Sequence, residues 1–407
     1  MSDKTVLIAG GGPVGLFCAL SLGRRGVPVR LFDINDRLQL DPRAATTHPA
    51  TLEVLAGEGL VDDMQRLGLT EPIFQFWDRP TGTLVAEFDH GLLKDETPFP
   101  YVVQCEQFKT TALILERLKS LPNVEVNFSH EVVDINQSSD NVSVTVRAGG
   151  QDKVVTGTYL IGADGGRSTV RKTSDIAFEG FTYAERFLVL TTPFDFKANR
   201  GYCARSYFAD PDEWCNCFKV AGDGPPGLWR TVFPADPDQD PEVVLSLEAA
   251  QARLQKFFPS QEPYEVVHRN LYTTHQRVAS TFRHGRVLLA GDAAHVNNSI
   301  GGLGLNGGLQ DAANLSSKLA AVLDGASDQL LDLYSLQRRT VSIEFVQRQT
   351  IANKKRLEEK DPAERRKNLS DLSAIAGDPV RARDFLRGTS MIAMQRRAES
   401  ITLSGLY

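Results

Sequence analysis

Residues 5–9 read as a fully buried strand, and three consecutive glycines beginning at Gly10 stop it. Residues 13–25 then carry small and apolar side chains at helical spacing, and residues 28–33 return to a buried-strand pattern. A strand, a tight glycine turn, a helix and a second strand within about thirty residues make one right-handed parallel unit. The regular alternation ends there. Residues 51–67 and 107–118 read as helices, and residues 74–88 as a hairpin turning at Pro80, Thr81 and Gly82. Residues 124–128, 131–136, 142–147 and 154–159 read as short strands of a meander inserted into the opening unit. Between 176 and 275, aromatic residues, prolines and alternating segments at 187–191, 204–208 and 228–233 point to a second, mostly antiparallel domain. Residues 286–290 restore a buried parallel-type strand, and helices dominate from 309 onward, with a highly charged stretch at 354–367. The expected class is α/β: a Rossmann-type domain in two parts, 1–175 and 281–345, an inserted antiparallel-sheet domain at 176–280, and a helical C-terminal segment at 346–407.

Composition narrows the function classes. With 407 residues the chain is long enough for two or three packed units, and 42% hydrophobic with 24% charged residues is ordinary for a folded protein. A net charge of -6 with no isolated basic block leaves no electrostatic footprint for nucleic acid. Cys18, Cys105, Cys203, Cys215 and Cys217 are odd in number and scattered, which fits a reducing cytoplasm better than a disulfide framework. The Cys215 and Cys217 pair reads as two residues on one strand face rather than as metal ligands, so no metal site is expected. Residues 5–23 carry no charge, but Gly10 to Pro13 interrupt the run after a strand's length, against a signal peptide or a membrane span.

Gly10, Gly12 and Gly15 occupy the three glycine positions of a GxGxxG fingerprint placed directly between strand and helix. Gly10 permits the tight turn, Gly12 lets the backbone approach a diphosphate, and Gly15 lets the helix pack closely on the strand. The helix start then offers unpaired N–H groups and a partial positive charge. Asp33, at the end of the second strand, stands where a ribose hydroxyl would be met. By itself this fingerprint does not separate NAD from FAD. Two further buried strands end in Gly and Asp, at Leu160-Ile161-Gly162-Ala163-Asp164-Gly165 and at Leu288-Leu289-Ala290-Gly291-Asp292. A carboxylate at such a strand end meets ligand hydroxyls, although capping a neighbouring helix is an alternative for either. After Asp292 comes a glycine-rich stretch containing Gly302, Gly304, Leu305 and Asn306, whose backbone is expected to approach something flat or anionic. A helix N-terminus aimed at the pyrimidine end of a flavin would stabilise the negative charge of the reduced ring.

With these residues in hand, the chain closely resembles the single-component FAD-dependent aromatic hydroxylases of the para-hydroxybenzoate and phenylpropionate hydroxylase type. The resemblance extends to about Lys318 and rests on the glycines at 10–15, Asp164-Gly165 and Gly291-Asp292 in that order. It implies that Asp164 serves both FAD and a passing nicotinamide cofactor, that Asp292 binds the ribityl part of FAD, that Arg43 lies at the diphosphate, and that Gln104 touches the ribityl chain. It makes residues 176–280 the substrate domain. It further implies that NADH or NADPH docks transiently and reduces FAD, that dioxygen adds at the flavin C4a carbon, and that the hydroperoxide so formed oxygenates a small aromatic substrate. A flavin dehydrogenase or reductase on the same scaffold, without oxygen insertion, is the alternative. Where family members usually carry prolines, this chain has Asn297, Asn298 and Ser299, which puts the substrate contacts of that segment in question. The chain ends at Tyr407, without the thioredoxin-like domain of larger relatives as far as the sequence runs. A homodimer is compatible with the sequence.

For the ring pocket, the candidates are His48, Arg205, Tyr207, Trp229, Arg230 and Phe233, on the expectation that strands of the second domain roof it. Alternation puts Arg205 and Tyr207 on one face, puts Trp229 and Phe233 together, and points Arg230 the opposite way from those two. Aromatic residues in a sheet core with arginines outside it explain the same pattern. His48 and His295 are candidates for tuning a proton, or simply histidines packed beside a loop.

Overall fold

A computed structural model describes residues 4–403. The opening apolar run becomes the strand Val6–Ala9, fully buried, followed by the helix Pro13–Arg24 and the strand Val29–Phe32. These belong to a six-stranded sheet ordered Arg283–His284, Val287–Leu289, Tyr159–Gly162, Val6–Ala9, Val29–Phe32, Val124–Asn127. All neighbours in it are parallel except the first pair. Its inner strands Val6–Ala9, Tyr159–Gly162 and Val287–Leu289 are buried throughout and are short hydrophobic runs rather than alternating ones.

Two readings of the meander are corrected. Val124–Asn127 pairs in parallel with Val29–Phe32 as an edge of the central sheet, so the meander holds only Glu131–Gln137, Val142–Ala148 and Gln151–Gly157. The single strand expected at 154–159 is two elements: Gln151–Gly157 closes the meander, and Tyr159–Gly162 enters the central sheet beside Val6–Ala9. An apolar run that passes from one sheet to another shows no change of period, so alternation alone misses the corner. Likewise the helix expected from 51 to 67 is two, Pro49–Gly57 and Val61–Leu67, broken around Gly59 with φ +65°.

The second sheet has eight strands, ordered His295–Val296, His268–Ala279, Phe178–Thr192, Leu228–Ala235, Cys215–Val220, Arg205–Ala209, Ile73–Asp78, Thr83–Asp89. The hairpin at its far edge comes from outside residues 176–280, and Ile73–Asp78 pairs with Arg205–Ala209 in parallel. Its outer face packs Trp229 and Phe233 against Phe196 and Phe257. Its inner face turns toward the first sheet and the C-terminal helices. Pairing register sets Arg205, Phe218, Arg230, Thr191 and His268 in one row on that inner face.

The long helix after the glycine-rich stretch starts at Leu303, six residues earlier than expected, and runs to Leu323. Gly307 and Gly308 therefore lie inside it, where added Cβ atoms would stand 3.1 Å from His295 and 2.7 Å from Val14. They are packing glycines facing protein. Within the same helix, buried Asp311 accepts hydrogen bonds from the Gly291 amide (3.1 Å), from His295 Nε2 (2.8 Å) and from Arg338 Nε (2.6 Å). Burial works to raise the Asp311 carboxyl, but His295 and Arg338 prevail and hold it below the usual range. Arg338 is itself buried, on Gln329–Val341. Helices Arg348–Glu358, Pro362–Ala376, Pro379–Thr389 and Ile392–Ser400 follow, two of them opened by an Asp-Pro pair whose carboxylates, Asp361 and Asp378, cap their N-termini.

Replacing Arg338 by Met strands a buried carboxylate. The expected loss is about 3–5 kcal/mol of stability, read as a lowered unfolding midpoint in a urea titration of the flavin-loaded protein. An unchanged midpoint would show that the Asp311 cluster does not hold the fold.

Candidate active site

Three sequence segments far apart in the chain converge at the carboxyl ends of the central strands. Gly10, with φ +105°, abuts the second segment so closely that a Cβ would lie 2.3 Å from the Ala163 carbonyl oxygen. A Cβ at Gly15 would lie 1.9 Å from the Gly10 carbonyl oxygen, and one at Gly291 2.9 Å from Val14. These glycines are required by protein packing. Gly12 differs, because no atom lies within 4 Å of the position its Cβ would take and its φ of -75° suits any residue. The open space stands before the first turn of Pro13–Arg24, where unpaired amides point outward. A diphosphate fits there, and a side chain would take its place.

The carboxylates around this cleft are in different states. Asp33 accepts from the Gly11 amide through one oxygen and from the Asn35 amide and side chain, each at 2.8 Å, through the other. Asp164, half-buried beside Gly10, accepts from Ser168, the N-cap of the short helix Thr169–Thr173, and from the Val170 amide in its first turn (3.1 Å). Burial pushes its carboxyl up, against those bonds. Asp292 takes no hydrogen bond from any described residue and is open to solvent, although ringed by protein at the cleft floor. Burial pushes its carboxyl up as well, against the pull of His295 and Arg43. A strand-end carboxylate left without protein donors is fitted for ligand hydroxyls.

The other candidates surround the same cleft. The Arg43 guanidinium is exposed on the rim, 3.8 Å from Asp41, and its carbonyl accepts from Arg230 at 2.7 Å. Buried Gln104 accepts from Thr46 at 2.8 Å and leaves its Nε2 without a partner. Asn306 is fully engaged by protein: it accepts from the His48 amide (2.8 Å) and donates to the carbonyls of Thr46 (2.8 Å) and Gly302 (2.6 Å). Its side chain therefore fastens the start of Leu303–Leu323 to the turn at His48. Gly302, with φ +71°, is the N-cap of that helix, and Gly304 and Leu305 lie in its first turn.

A separate small cavity is lined by Phe74, Phe76, Arg205 and Tyr207 of the second sheet, by Ile300, Gly301 and Leu303, and by residues of the C-terminal helices such as Leu357 and Phe385. The sheet forms one wall of this cavity, and residues beyond 346 close the other. Arg205 donates from Nε to the Tyr207 hydroxyl at 3.1 Å, and its guanidinium lies 4.8 Å from the centre of the Phe74 ring. Tyr207 stacks on Phe76 at 5.0 Å. Arg205 is buried, its Nη1 has no partner, and no carboxylate pairs with it among the described residues. Trp229 and Phe233 are core residues on the opposite face, and Arg230, on the same face two strands away, contacts Arg43 rather than the cavity.

Fully buried His48 lies behind the Gly301 wall. Its Nε2 donates to the Gly301 carbonyl at 2.8 Å, so Nδ1 carries the bare lone pair, and Nδ1 has no partner. Burial, then Arg205, hold this imidazole well below its usual range, so it is neutral. His90, absent from the sequence-based candidates, is arranged in the same way. Its Nδ1 faces the Pro72 carbonyl at 2.6 Å, its Nε2 is unpaired, and burial with Arg205 lowers it to about 4. Nothing in the local sequence marks it. The Asn297-Asn298-Ser299 segment is held by side chains, with Asn298 contacting Tyr183 and Gln276 and Ser299 contacting Tyr272 at 2.7 Å. His295 is a packed histidine, bound to Asp311 and stacked on Phe282.

A parallel sheet with a glycine turn, a second strand-end acid and a third beside a long helix is the framework of an FAD-binding oxidoreductase. The chain belongs to the family described as FAD binding domain, whose profile matches residues 3–349. It is 36% identical to para-nitrophenol 4-monooxygenase of Pseudomonas sp. (strain WBC-3), over 94% of each chain. It is 35% identical to 6-hydroxy-3-succinoylpyridine 3-monooxygenase of Pseudomonas putida (strain DSM 28022 / S16), over 94% of this chain and 97% of that one. The crystal structure of p-nitrophenol 4-monooxygenase from Pseudomonas putida DLL-E4 superposes with a TM-score of 0.90 at 34% identity, covering 98% of this chain and all of the other. This kinship makes FAD the cofactor and FAD-dependent aromatic hydroxylase the enzyme class, as the sequence led one to expect, and does not favour the reductase alternative. No described helix is long and apolar enough to cross a membrane.

The Gly12 geometry separates binding from folding. Gly12→Ala is expected to leave the unfolding midpoint unchanged and to weaken FAD binding at least tenfold, whereas Gly15→Ala is expected to unfold or markedly destabilise the protein. Flavin titration of the apoprotein with parallel thermal unfolding reads both, and a Gly12→Ala protein with native FAD affinity would refute the diphosphate position.

Proposed function

We propose that this enzyme uses NADH or NADPH and dioxygen to hydroxylate a small phenol, at the ring carbon para to its hydroxyl group. The observation that carries the substrate class is Arg205, a buried cation without a carboxylate, set among Phe74, Phe76 and Tyr207 at the cavity wall. A desolvated guanidinium with an unused donor calls for an anion, and an aromatic cavity calls for a ring; a phenolate is both. The names of the two relatives support the position, since each places the reaction opposite the hydroxyl of its ring.

Bound FAD supplies reduction by the nicotinamide cofactor and activation of dioxygen. We assign the diphosphate to the amides after Gly10 and Gly12, with Gly15 holding the helix close and Arg43 on the rim. Asp33 takes the adenosine ribose, Asp292 and Gln104 the ribityl chain, and Asp164 the region shared with the transient nicotinamide cofactor. The start of Leu303–Leu323 at Gly302, Gly304 and Leu305 offers its positive end to the flavin ring. The residues at and behind the substrate cavity then have three tasks. Arg205, steadied by Tyr207, favours the phenolate, which pushes electron density to the para carbon. His48, neutral and buried behind the cavity wall, holds the Gly301 carbonyl in place through its Nε2. The apolar wall of Phe74, Phe76, Ile300 and Leu357 excludes water from the reacting carbon. Arg230 holds the Arg43 turn in place rather than touching the ring. All five cysteines are free, which suits the reducing cytoplasm in which we place the enzyme.

Oxidation of NAD(P)H is expected to accelerate when 4-nitrophenol or another para-substituted phenol is added, with one atom of labelled dioxygen entering the product. Arg205→Met is expected to raise KM roughly ten- to hundredfold, the loss of one charge-assisted bond, with FAD content unchanged. Label found only in peroxide or water across a panel of phenols would instead make the protein a reductase.

A further inference from the structure

The ring cavity lies beside a surface depression between two C-terminal helices. Gln349, Asn353 and Phe385 line both the cavity and an open depression of about 550 Å³ on the protein surface, which also includes Phe345, Arg348 and Arg356. Gln349, Asn353 and Arg356 recur at spacings of four and three, so they share one face of Arg348–Glu358. Just before that helix, Ser342–Gln347 forms a π-helical stretch, a wide turn often found where a helix has been adapted to a site. It brings Phe345 to the depression.

The charges there are unbalanced. The carboxylate of the region, Glu344, is taken up by Arg397 at 3.1 Å. Arg348 and Arg356 form no ion pair with any described residue. Arg356 touches only Asn353 Oδ1, at 3.4 Å, and lies 6.0 Å from the centre of the Phe385 ring. Partial burial without a counter-charge pushes its guanidinium down from the usual arginine range. Phe385 in turn stacks on Phe88 of the second sheet at 4.5 Å, which fixes the inner side of the passage. Two cations without a counter-charge and two aromatic rings stand at the surface depression, and Arg205 stands at the wall of the cavity beside it.

We propose that this depression is the entry site for the substrate in its anionic form, where Arg348 and Arg356 attract an aromatic anion and Phe345 and Phe385 receive its ring before it passes Gln349 and Asn353 to Arg205. The inference rests on the reading of the cavity as a phenol site. A positive mouth on a protein of net charge -6 concentrates anions locally and acts on the association rate rather than on the bound state. Its attraction weakens as salt shortens the range of the field.

The test follows association of 4-nitrophenolate with the oxidised holoenzyme by stopped flow, through perturbation of the flavin spectrum, at ionic strengths of about 20 mM and about 300 mM. The wild-type association rate is expected to fall roughly tenfold across this range. In the double variant Arg348→Gln/Arg356→Gln the low-salt rate should drop to near the high-salt value, with the dissociation rate and FAD content unchanged. The Arg348→Lys/Arg356→Lys protein, which keeps both charges, should regain the salt dependence. Unaltered salt dependence in the glutamine variant, with tight binding retained, overturns the entry site and leaves the phenol reading standing. Failure of 4-nitrophenolate and other phenolates to bind the wild-type holoenzyme at any salt overturns both.

Discussion

A diphosphate held inside a protein needs donors already in place, and the amides at the start of a helix serve only if no side chain stands before them. On the proposed placement of the diphosphate, that requirement shapes the first fifteen residues of this chain and much that follows. Gly10 must be small because Ala163 lies against it, and Gly15 because Gly10 does. Gly12 is small with no protein neighbour to require it, so its side of the turn is kept clear for something other than protein. The turn is thus locked on one side by packing and open on the other, and the carboxylates Asp164 and Asp292 reach the same cleft from neighbouring strands.

The long helix Leu303–Leu323 couples this cleft to the ring cavity. Its first turn borders Gly301 and Leu303 of the cavity, Asn306 ties it to the turn at His48, and Asp311 receives the Gly291 amide beside Asp292. Gly308 lets the same helix press on Val14. One rigid element therefore sets the positions of the third strand end, the glycine loop and the histidine behind it. Rigid support of this kind holds reacting groups to the tolerances that catalysis needs. The strand His295–Val296 carries the connection onward, because it leaves the Gly291–Ala293 turn and joins the edge of the second sheet.

What the sequence disclosed was mainly local. The strand and glycine pattern at 5–33, the helix at 107–118 and the hairpin turning at 80–82 depend on neighbours in sequence, and each formed close to its expected limits. The elements misread were those whose surroundings lie far along the chain. Val124–Asn127 has the same pattern in a meander or at a sheet edge, and only pairing with Val29–Phe32 decides. The glycines at 307 and 308 looked like a loop because their partners, His295 and Val14, are invisible to local reading. The same limit applies to the candidate site. Arg205 and Tyr207 were found by strand alternation, whereas His90 and the helices that close the cavity were not, because nothing in their local sequence points at Arg205.

Binding of FAD compared with FMN tests the central account most directly. Both carry the flavin ring and the ribityl chain, but only FAD carries the diphosphate and adenosine that we assign to the space before Gly12 and to Asp33. Titration of the apoprotein, followed by flavin fluorescence, should show FAD binding at least a hundredfold more tightly than FMN. Equal affinities would mean that the opening turn grips no diphosphate, and the account would fail.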